Sequence, residues 1–249
     1  MSEDKKHQTG KAEVPWLSTT QWSVILAAGE TQSCLSKEAL ALLCQKYWYP
    51  LYVYARRRGH DEDGARDVTQ SFFARLLEKK SIKIASRERG RFRSFLLVSF
   101  KNFLSNEWDR ERAAKRGGGK PQVSLDLHDA EGRYVREPVD PRTPEEAFDR
   151  RWALEQLDRV LGLLRDEMVD AGGETKFDLL KDFLMLDIST KTYAEVAGSL
   201  DMTEGAVKVA VHRMRRRFGL LLRAEIARTV SDEEEIGGEI RYLISALGP

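Results

Sequence analysis

Cysteine is almost absent from this 249-residue chain: Cys34 and Cys44 are the only two. One pair cannot build a disulfide framework or a four-cysteine zinc site, and its spacing does not make a C-x-x-C redox motif. Histidine is equally sparse, and His7, His60, His128 and His212 show no metal-ligand spacing. The longest unbroken apolar run, Ala39 to Cys44, is six residues long, against the roughly 18 that a membrane span requires. The polar start, Met-Ser-Glu-Asp-Lys-Lys-His-Gln, has no signal core behind its lysines. A cytoplasmic protein with no membrane partner is expected. The chain also lacks a G-x-S-x-G elbow, a Gly-rich phosphate loop and a G-x-G-x-x-G turn. The expectation is therefore a protein that is not an enzyme, with no catalytic residue, metal or cofactor.

What is present is charge, and it is unevenly spread. Hydrophobic residues make up 41% and charged residues 33%, enough apolar material for a folded core and, at this length, for two compact units. The formal net charge is +1, yet residues 87–120 carry ten basic side chains against four acidic, and residues 204–218 carry five against one. Residues 126–149 hold eight acids against Arg133, Arg136 and Arg142, and residues 231–249 hold five acids against Arg241. Local field is what a polyanion feels. Two basic modules separated by an acidic spacer fit contact with two stretches of nucleic acid, although any single charge run also reads as a solvated helix face.

Apolar residues recur at spacings of three and four, so the chain reads as all-α. Residues 1–15 look disordered, and Thr19 or Thr20 can cap a short helix bearing Trp22, Ile25 and Leu26 that Gly29 ends. Ser36 opens a helix through Tyr47, which Pro50 interrupts before Leu51 to Arg58 resumes. The next helix, from Asp61 or Asp63 to Lys79, puts Ala65, Val68, Phe72 and Leu76 on one stripe flanked by Phe73 and Leu77. Its other face holds Asp67, Gln70, Ser71, Ala74 and Glu78, polar enough for solvent and regular enough for a protein partner. A long helix from Phe92 to Ala114 turns Leu97, Phe100, Leu104 and Trp108 inward and Ser99, Asn102, Asn106 and Arg110 outward. Amides and a guanidinium in such a row can reach phosphates and base edges, with Lys101, Arg112, Lys115 and Arg116 adding phosphate affinity. Phe92 and Phe95 among arginines suit stacking on single-stranded bases or a place in the core.

Residues 117–144, with four glycines and four prolines, read as a linker. Glu145 to Val169 is helical through Leu154, Leu157, Leu161 and Leu164, breaks at Gly172 and Gly173, and gives way to a helix from Phe177 to Leu186. Tyr193, Val196, Ala197 and Leu200 then form a short helix, Asp201-Met202-Thr203 a turn, and Val207, Ala210, Val211, Met214 and Phe218 a second stripe. Two helices joined by a tight turn, the second one basic, match the helix-turn-helix. In that geometry Thr203, Glu204, Lys208 and His212 face base edges, while Arg213, Arg215, Arg216 and Arg217 suit phosphates. An ordinary helical hairpin with a solvent-exposed His212 is the plainer alternative.

These segments together resemble the extracytoplasmic-function (ECF) sigma factors of bacterial RNA polymerase. Tyr47 to Arg112, including Asp67-Val68-Thr69-Gln70-Ser71-Phe72-Phe73 and Phe92-Arg93-Ser94-Phe95-Leu96, is similar to sigma region 2, and Thr192 to Leu222 is similar to region 4. The resemblance implies two helical domains joined by a flexible linker. The domains would be residues 32–116 and 145–230, with a linker over 117–144, an N-terminal extension over 1–31 and an acidic tail over 231–249. Those extensions match a planctomycete-like variant. The resemblance further implies that Asp67, Gln70, Ser71 and Arg75 dock on the clamp of core polymerase, with the flap as a second contact. It assigns Arg91, Arg93, Lys101, Asn102, Asn106, Arg110 and Arg112 to the melted strand of promoter DNA. Region 4 would read duplex promoter DNA, and an anti-sigma factor or other regulatory partner is compatible with the plan.

Ser71 stands where the family often has an acid, Asn106 where an aspartate is common, and Asp201 where the turn has glycine. Aspartate tolerates a left-handed backbone, so the turn is expected to survive. The alternatives are a dimeric helix-turn-helix regulator independent of polymerase and a helical interaction scaffold. The charge map adds one more expectation: the tail, with Asp232 to Glu235 and Ile240, Leu243, Ile244 and Leu247, folds back on the basic face of region 4 or packs nearby as a solvated acidic helix.

Overall fold

A computed structural model describes residues 34–78, 91–113, 130–136, 141–184, 191–230 and 232–248, with side chains described from Lys46 to Leu76, from Arg91 to Glu107 and from Ala130 to Val135 in the first three stretches. The expected disordered start and the helix around Trp22 lie outside the described residues. All regular structure among those residues is helical, as the periodicity requires. No described helix is long and apolar enough to cross a membrane.

Helix α1, Cys34–Arg57, runs straight through Pro50, where two segments are expected from the sequence. Proline removes one backbone donor and crowds the preceding turn, but the aromatic residues on either side hold the helix together. Trp48 and Tyr52 stack across the site with ring centroids 5.1 Å apart, and Tyr47, Leu51 and Tyr54 are buried before and after it. Helix α2, Glu62–Glu78, starts where Asp61 Oδ1 accepts from the Gly64 amide at 2.8 Å. Its buried stripe of Ala65, Phe72 and Leu76, with Phe73 beside it and Val68 partly covered, is the one expected.

Helix α3, Phe92–Ala113, is turned from its expected phase. Phe92, Leu96, Phe100 and Phe103 are the buried residues, whereas Leu97 and Leu104 sit at the margin and the Trp108 side chain lies outside those described. Aromatic packing decides the phase: Phe100 meets the Phe72 ring edge-on at 5.0 Å, and Phe92 meets Tyr47 at 5.2 Å. Phe92 is thus core and not a stacking platform, while Phe95 is only partly buried.

Within the segment read as a linker, residues 130–136 are helical. Helix α4, Ala130–Arg136, packs on α1: Glu131 pairs with Arg56 at 2.7 Å and accepts from the Tyr52 hydroxyl, and Tyr134 meets Tyr52 edge-on. Helix α5, Pro144–Asp170, opens with a capping box in which Thr143 and Glu146 satisfy each other's backbone amides and Pro144 takes the first turn. It buries Phe148, Trp152, Ala153, Gln156, Val160 and Leu164; of the four leucines expected inside, only Leu164 is fully buried. Trp152 and Phe148 bury more apolar area than the leucines and set the inward side. Helix α6, Glu174–Leu180, continues into a short 3-10 turn, Lys181–Phe183; residues 185–186 of the expected helix lie outside the described ones. Helices α7, Tyr193–Leu200, and α8, Glu204–Ala227, form the hairpin, and α9, Glu233–Leu247, follows.

The apolar side chains gather in two cores. The first joins α1, α2, α3 and α4 with the first half of α5, the end of α8 and α9. The second joins the last half of α5 with α6, α7 and the first half of α8. Two uninterrupted helices, α5 and α8, therefore contribute to both cores. The tail does not fold on the basic face of α8: Ile236 and Leu243 of α9 are buried in the first core, with Ile240 and Leu247 partly covered and Ile244 exposed.

One buried ion pair ties α1 to the end of α8. Lys46 Nζ lies 3.2 Å from Glu225 Oε2, and Arg228 Nη1 lies 2.8 Å from Oε1. Burial opposes the charge on both partners; the Lys46 ammonium is held below its ordinary range, while Lys46 and Arg228 together still hold the Glu225 carboxyl below its own. A depressed carboxyl contributes stability above its unfolded titration range and loses it as pH falls through the folded one. Glu225→Gln should therefore cost about 3 kcal/mol at neutral pH, because Lys46 is left without its carboxylate, and should flatten the acid limb of the stability curve. Lys46→Met combined with Glu225→Met should recover most of that loss. Urea titrations at neutral and acid pH measure both; a single variant as stable as the parent contradicts the pairing.

Candidate nucleic-acid interface

The α7–α8 hairpin is built by local chemistry at three positions. Thr192 caps α7: its Oγ1 accepts from the Glu195 amide at 3.3 Å, and Glu195 Oε2 accepts from the Thr192 amide at 2.7 Å. The Thr192 amide, and after it the Thr192 hydroxyl, donate to the exposed Glu195 carboxylate and hold it below its ordinary range. At the far end Asp201 takes φ 50, ψ 46, and is the one non-glycine residue of positive φ among those described. The left-handed step turns the chain, and the Met202 amide donates to the Ala197 carbonyl at 3.0 Å. Thr203 Oγ1 then accepts from the Ala206 amide at 3.2 Å and starts α8. Val196 and Ala197 pack on Val207, Val211 and Met214, where the small Ala197 side chain allows the two helices to approach closely.

This packing leaves one side of α8 in solvent. Thr203, Glu204, Lys208, His212, Arg213 and Arg216 are all exposed, and Glu204, Lys208, His212 and Arg216 follow one another a turn apart. Lys208 pairs with Glu204 at 2.7 Å and lies over the Tyr193 ring. The Glu204 carboxylate raises the Lys208 ammonium above its ordinary range, chiefly through that hydrogen bond, so the side chain stays cationic. Exposed pairs of this kind contribute little stability and exchange readily for another anion.

The other two arginines are used differently. Arg215 donates from Nε and Nη2 to the Phe183 carbonyl, at 2.9 and 2.6 Å, and closes the C-terminal end of the 3-10 turn. Arg217 grips Glu167 of α5 with two donors, Nε at 2.7 Å. Both were expected on phosphates; in this conformation they fasten α8 to its neighbours.

The second basic block is more heavily rearranged. Asn102 and Asn106 are exposed on α3 as expected, and Lys101, also exposed, pairs with Glu145 at 2.7 Å. That hydrogen bond raises the Lys101 ammonium and lowers the Glu145 carboxyl. Arg93, expected on the melted strand, points inward: its side chain is 5% exposed and enclosed in this conformation by Asp149, Glu239 and the Trp152 and Tyr242 rings. Arg91, half-buried, lies 2.9 Å from Glu239. The side chains of Arg110 and Arg112 lie outside those described. The partners of Arg93 went unrecognised in the sequence because Asp149 and Glu239 stand 56 and 146 residues away; the complementary signs of the tail and the first basic block were the available signal.

On α2, Asp67 is exposed, and Gln70 and Ser71 are half-buried on the face that was expected to take a protein partner. Arg75 leans back over Phe103, 5.7 Å from its centroid, with Glu107 3.4 Å from Nη1. No group of side chains among the described residues could hold a metal ion. Protein-family models, curated proteins and solved structures yield no match to this chain.

The turn gives a direct test of the hairpin. Asp201→Val should cost roughly 1–2 kcal/mol, because a β-branched residue resists the left-handed conformation, whereas Asp201→Gly should stay within about 0.5 kcal/mol of the parent. Denaturant titration of both variants checks this, and equal stability of the valine and glycine variants contradicts the turn.

Proposed function

We propose that this chain is a sigma factor of bacterial RNA polymerase, of the ECF type. It acts as a non-catalytic subunit that carries polymerase to promoters and helps hold the melted strand. The observation that carries the reading is the α7–α8 hairpin, with its left-handed Asp201 and the exposed row of Glu204, Lys208, His212 and Arg216. In a helix-turn-helix the start of the second helix enters the major groove and presents such side chains to base edges. Thr203, Glu204, Lys208 and His212 take that role here, with Arg213 and Arg216 on flanking phosphates.

The remaining surfaces are assigned by the same reading. Asn102 and Asn106, exposed on α3, contact the unpaired strand, with Lys101 exchanging Glu145 for a phosphate. Asp67, Gln70, Ser71 and Arg75 on α2 meet the polymerase clamp, and the helix-turn-helix domain meets the flap. Sequence is read through side-chain contacts to bases, affinity comes largely from phosphates, and the polymerase performs all the chemistry. An anti-sigma factor or other regulatory partner would act by covering one of these surfaces.

Run-off transcription with purified core polymerase on a genomic fragment library tests the reading and finds promoters together. Specific transcripts should appear only when this chain is added. On a promoter so found, Lys208→Ala should lose about 1–3 kcal/mol of binding and relax preference at one base pair. Arg216→Ala should weaken all promoters alike and lower the salt slope by about one. No stimulated transcript, or both variants behaving as the parent, contradicts the proposal; a symmetric footprint without polymerase points to a dimeric regulator.

A further inference from the structure

Arg91 and Arg93 open α3, the helix assigned above to the unpaired strand, yet their guanidinium groups are already occupied. Arg93 Nη1 lies 2.6 Å from Asp149 Oδ1 of α5, and its Nε lies 2.6 Å from Glu239 Oε1 of α9. Arg91 Nε lies 2.9 Å from the other oxygen of the same Glu239 carboxylate. Tyr242 of α9 closes the arrangement: its ring stands 3.8 Å from the Arg93 guanidinium carbon, and its hydroxyl donates to Asp149 Oδ2 at 2.6 Å.

The cluster holds two guanidinium groups and two carboxylates. The Glu239 carboxylate bridging two guanidiniums engages the same donors with which paired arginines hold the oxygens of a phosphate. The Glu239 side chain is fully buried, while Arg91 keeps 35% of its surface exposed, so one end of the pair lies at the protein's edge. Replacing a buried ion pair by packed apolar groups is often nearly neutral, whereas removing one partner alone is costly, so the buried arginine needs an anion but not this particular one. What seats α9 is therefore its apolar side, with Ile236 and Leu243 in the first core, and the cations at its C-terminal end. There Arg150 Nη1 donates to the Leu247 carbonyl at 3.0 Å, and Arg142 donates to the Gly248 carbonyl. Nothing in this arrangement obliges Glu239 to be the permanent partner of the arginines.

We propose that α9 is an intramolecular occupant of the strand-binding surface: Glu239 and Asp149 stand where nucleic-acid phosphates bind, and single-stranded DNA engages Arg91 and Arg93 only when α9 leaves. This rests on the assignment of α3 to the unpaired strand. It also makes the tail a regulator of the first basic block, not of the reading helix.

Hydrogen exchange of the full chain, with and without a mixed-sequence single-stranded oligonucleotide, tests the exchange of partners without any mutation. At saturation, measured by fluorescence anisotropy in the same buffer, amides of residues 236–247 should exchange at least about tenfold faster while those of α1 keep their rate. Bound oligonucleotide with α9 still protected overturns the proposal and leaves the assignment of α3 standing. In a second arm, E239Q should bind the oligonucleotide about tenfold more tightly, because less of the protein is held in the occupied state. Its salt slope should be steeper by about one to two, from the arginines set free. Adding R91A to E239Q should remove most of the gain. Folded E239Q binding no better than the parent overturns the proposal, and an oligonucleotide that binds neither protein overturns the assignment of α3 along with it.

Discussion

Everything in this molecule depends on two helices that each belong to two cores. Helix α5 buries Phe148 and Trp152 in the first core and Leu164 in the second, while α8 buries Val207 and Val211 in the second and Ile226 in the first. The two helices therefore run in opposite senses and form a common beam. Along α8 the span from Val207 to Ile226 is about 28 Å of unbroken helix. The exposed row on α8 and the exposed side of α3 are in consequence held in a fixed relation for as long as both cores stay intact. Arg217 gripping Glu167 and Arg215 gripping the Phe183 carbonyl pin the beam at one end; Lys46 with Glu225 pins it at the other.

The same packing decides which charges face solvent. Basic and acidic blocks far apart in sequence are neighbours in space, as Arg93 with Glu239 and Lys101 with Glu145 make plain. Only part of the positive charge counted along the chain faces solvent unopposed. Arg213 and Arg216 on α8 are exposed, whereas the arginines opening α3 are spent on carboxylates. An estimate of nucleic-acid affinity from composition alone would therefore count charges that this conformation keeps inside.

Much of the architecture was legible in the sequence, for reasons that are local. The helical hairpin could be read because the turn Asp201-Met202-Thr203 and the apolar positions flanking it lie close together in the sequence, whereas the Thr192 cap was not read. Asp201 was expected to take the left-handed step, and it does. The stripe of α2 could be read because one clean period governs it. The phases of α3 and α5 were misread where leucine and aromatic residues compete for the inside; Phe103 and Trp152 are buried while Leu104 and Leu154 stay at the margin, a choice made by packing partners on other helices. Pro50 was read as a break, since nothing local announces that Trp48 and Tyr52 will stack across it. The burial of Arg93 depends on Asp149 and Glu239, and no periodicity carries such a contact. The proposed function rests on a resemblance of motifs in order, with Asp67, Gln70 and the α8 row as its anchors.

Under the proposed function the chain performs no chemistry and acts only by joining a larger machine, so association with core polymerase is the central claim. Sedimentation velocity of the purified full chain mixed with core RNA polymerase measures it most directly. The account predicts a stoichiometric complex that sediments with the polymerase and is weakened by Asp67→Arg on the exposed face of α2. A chain that sediments at its own mass in the mixture, across the micromolar range, contradicts it.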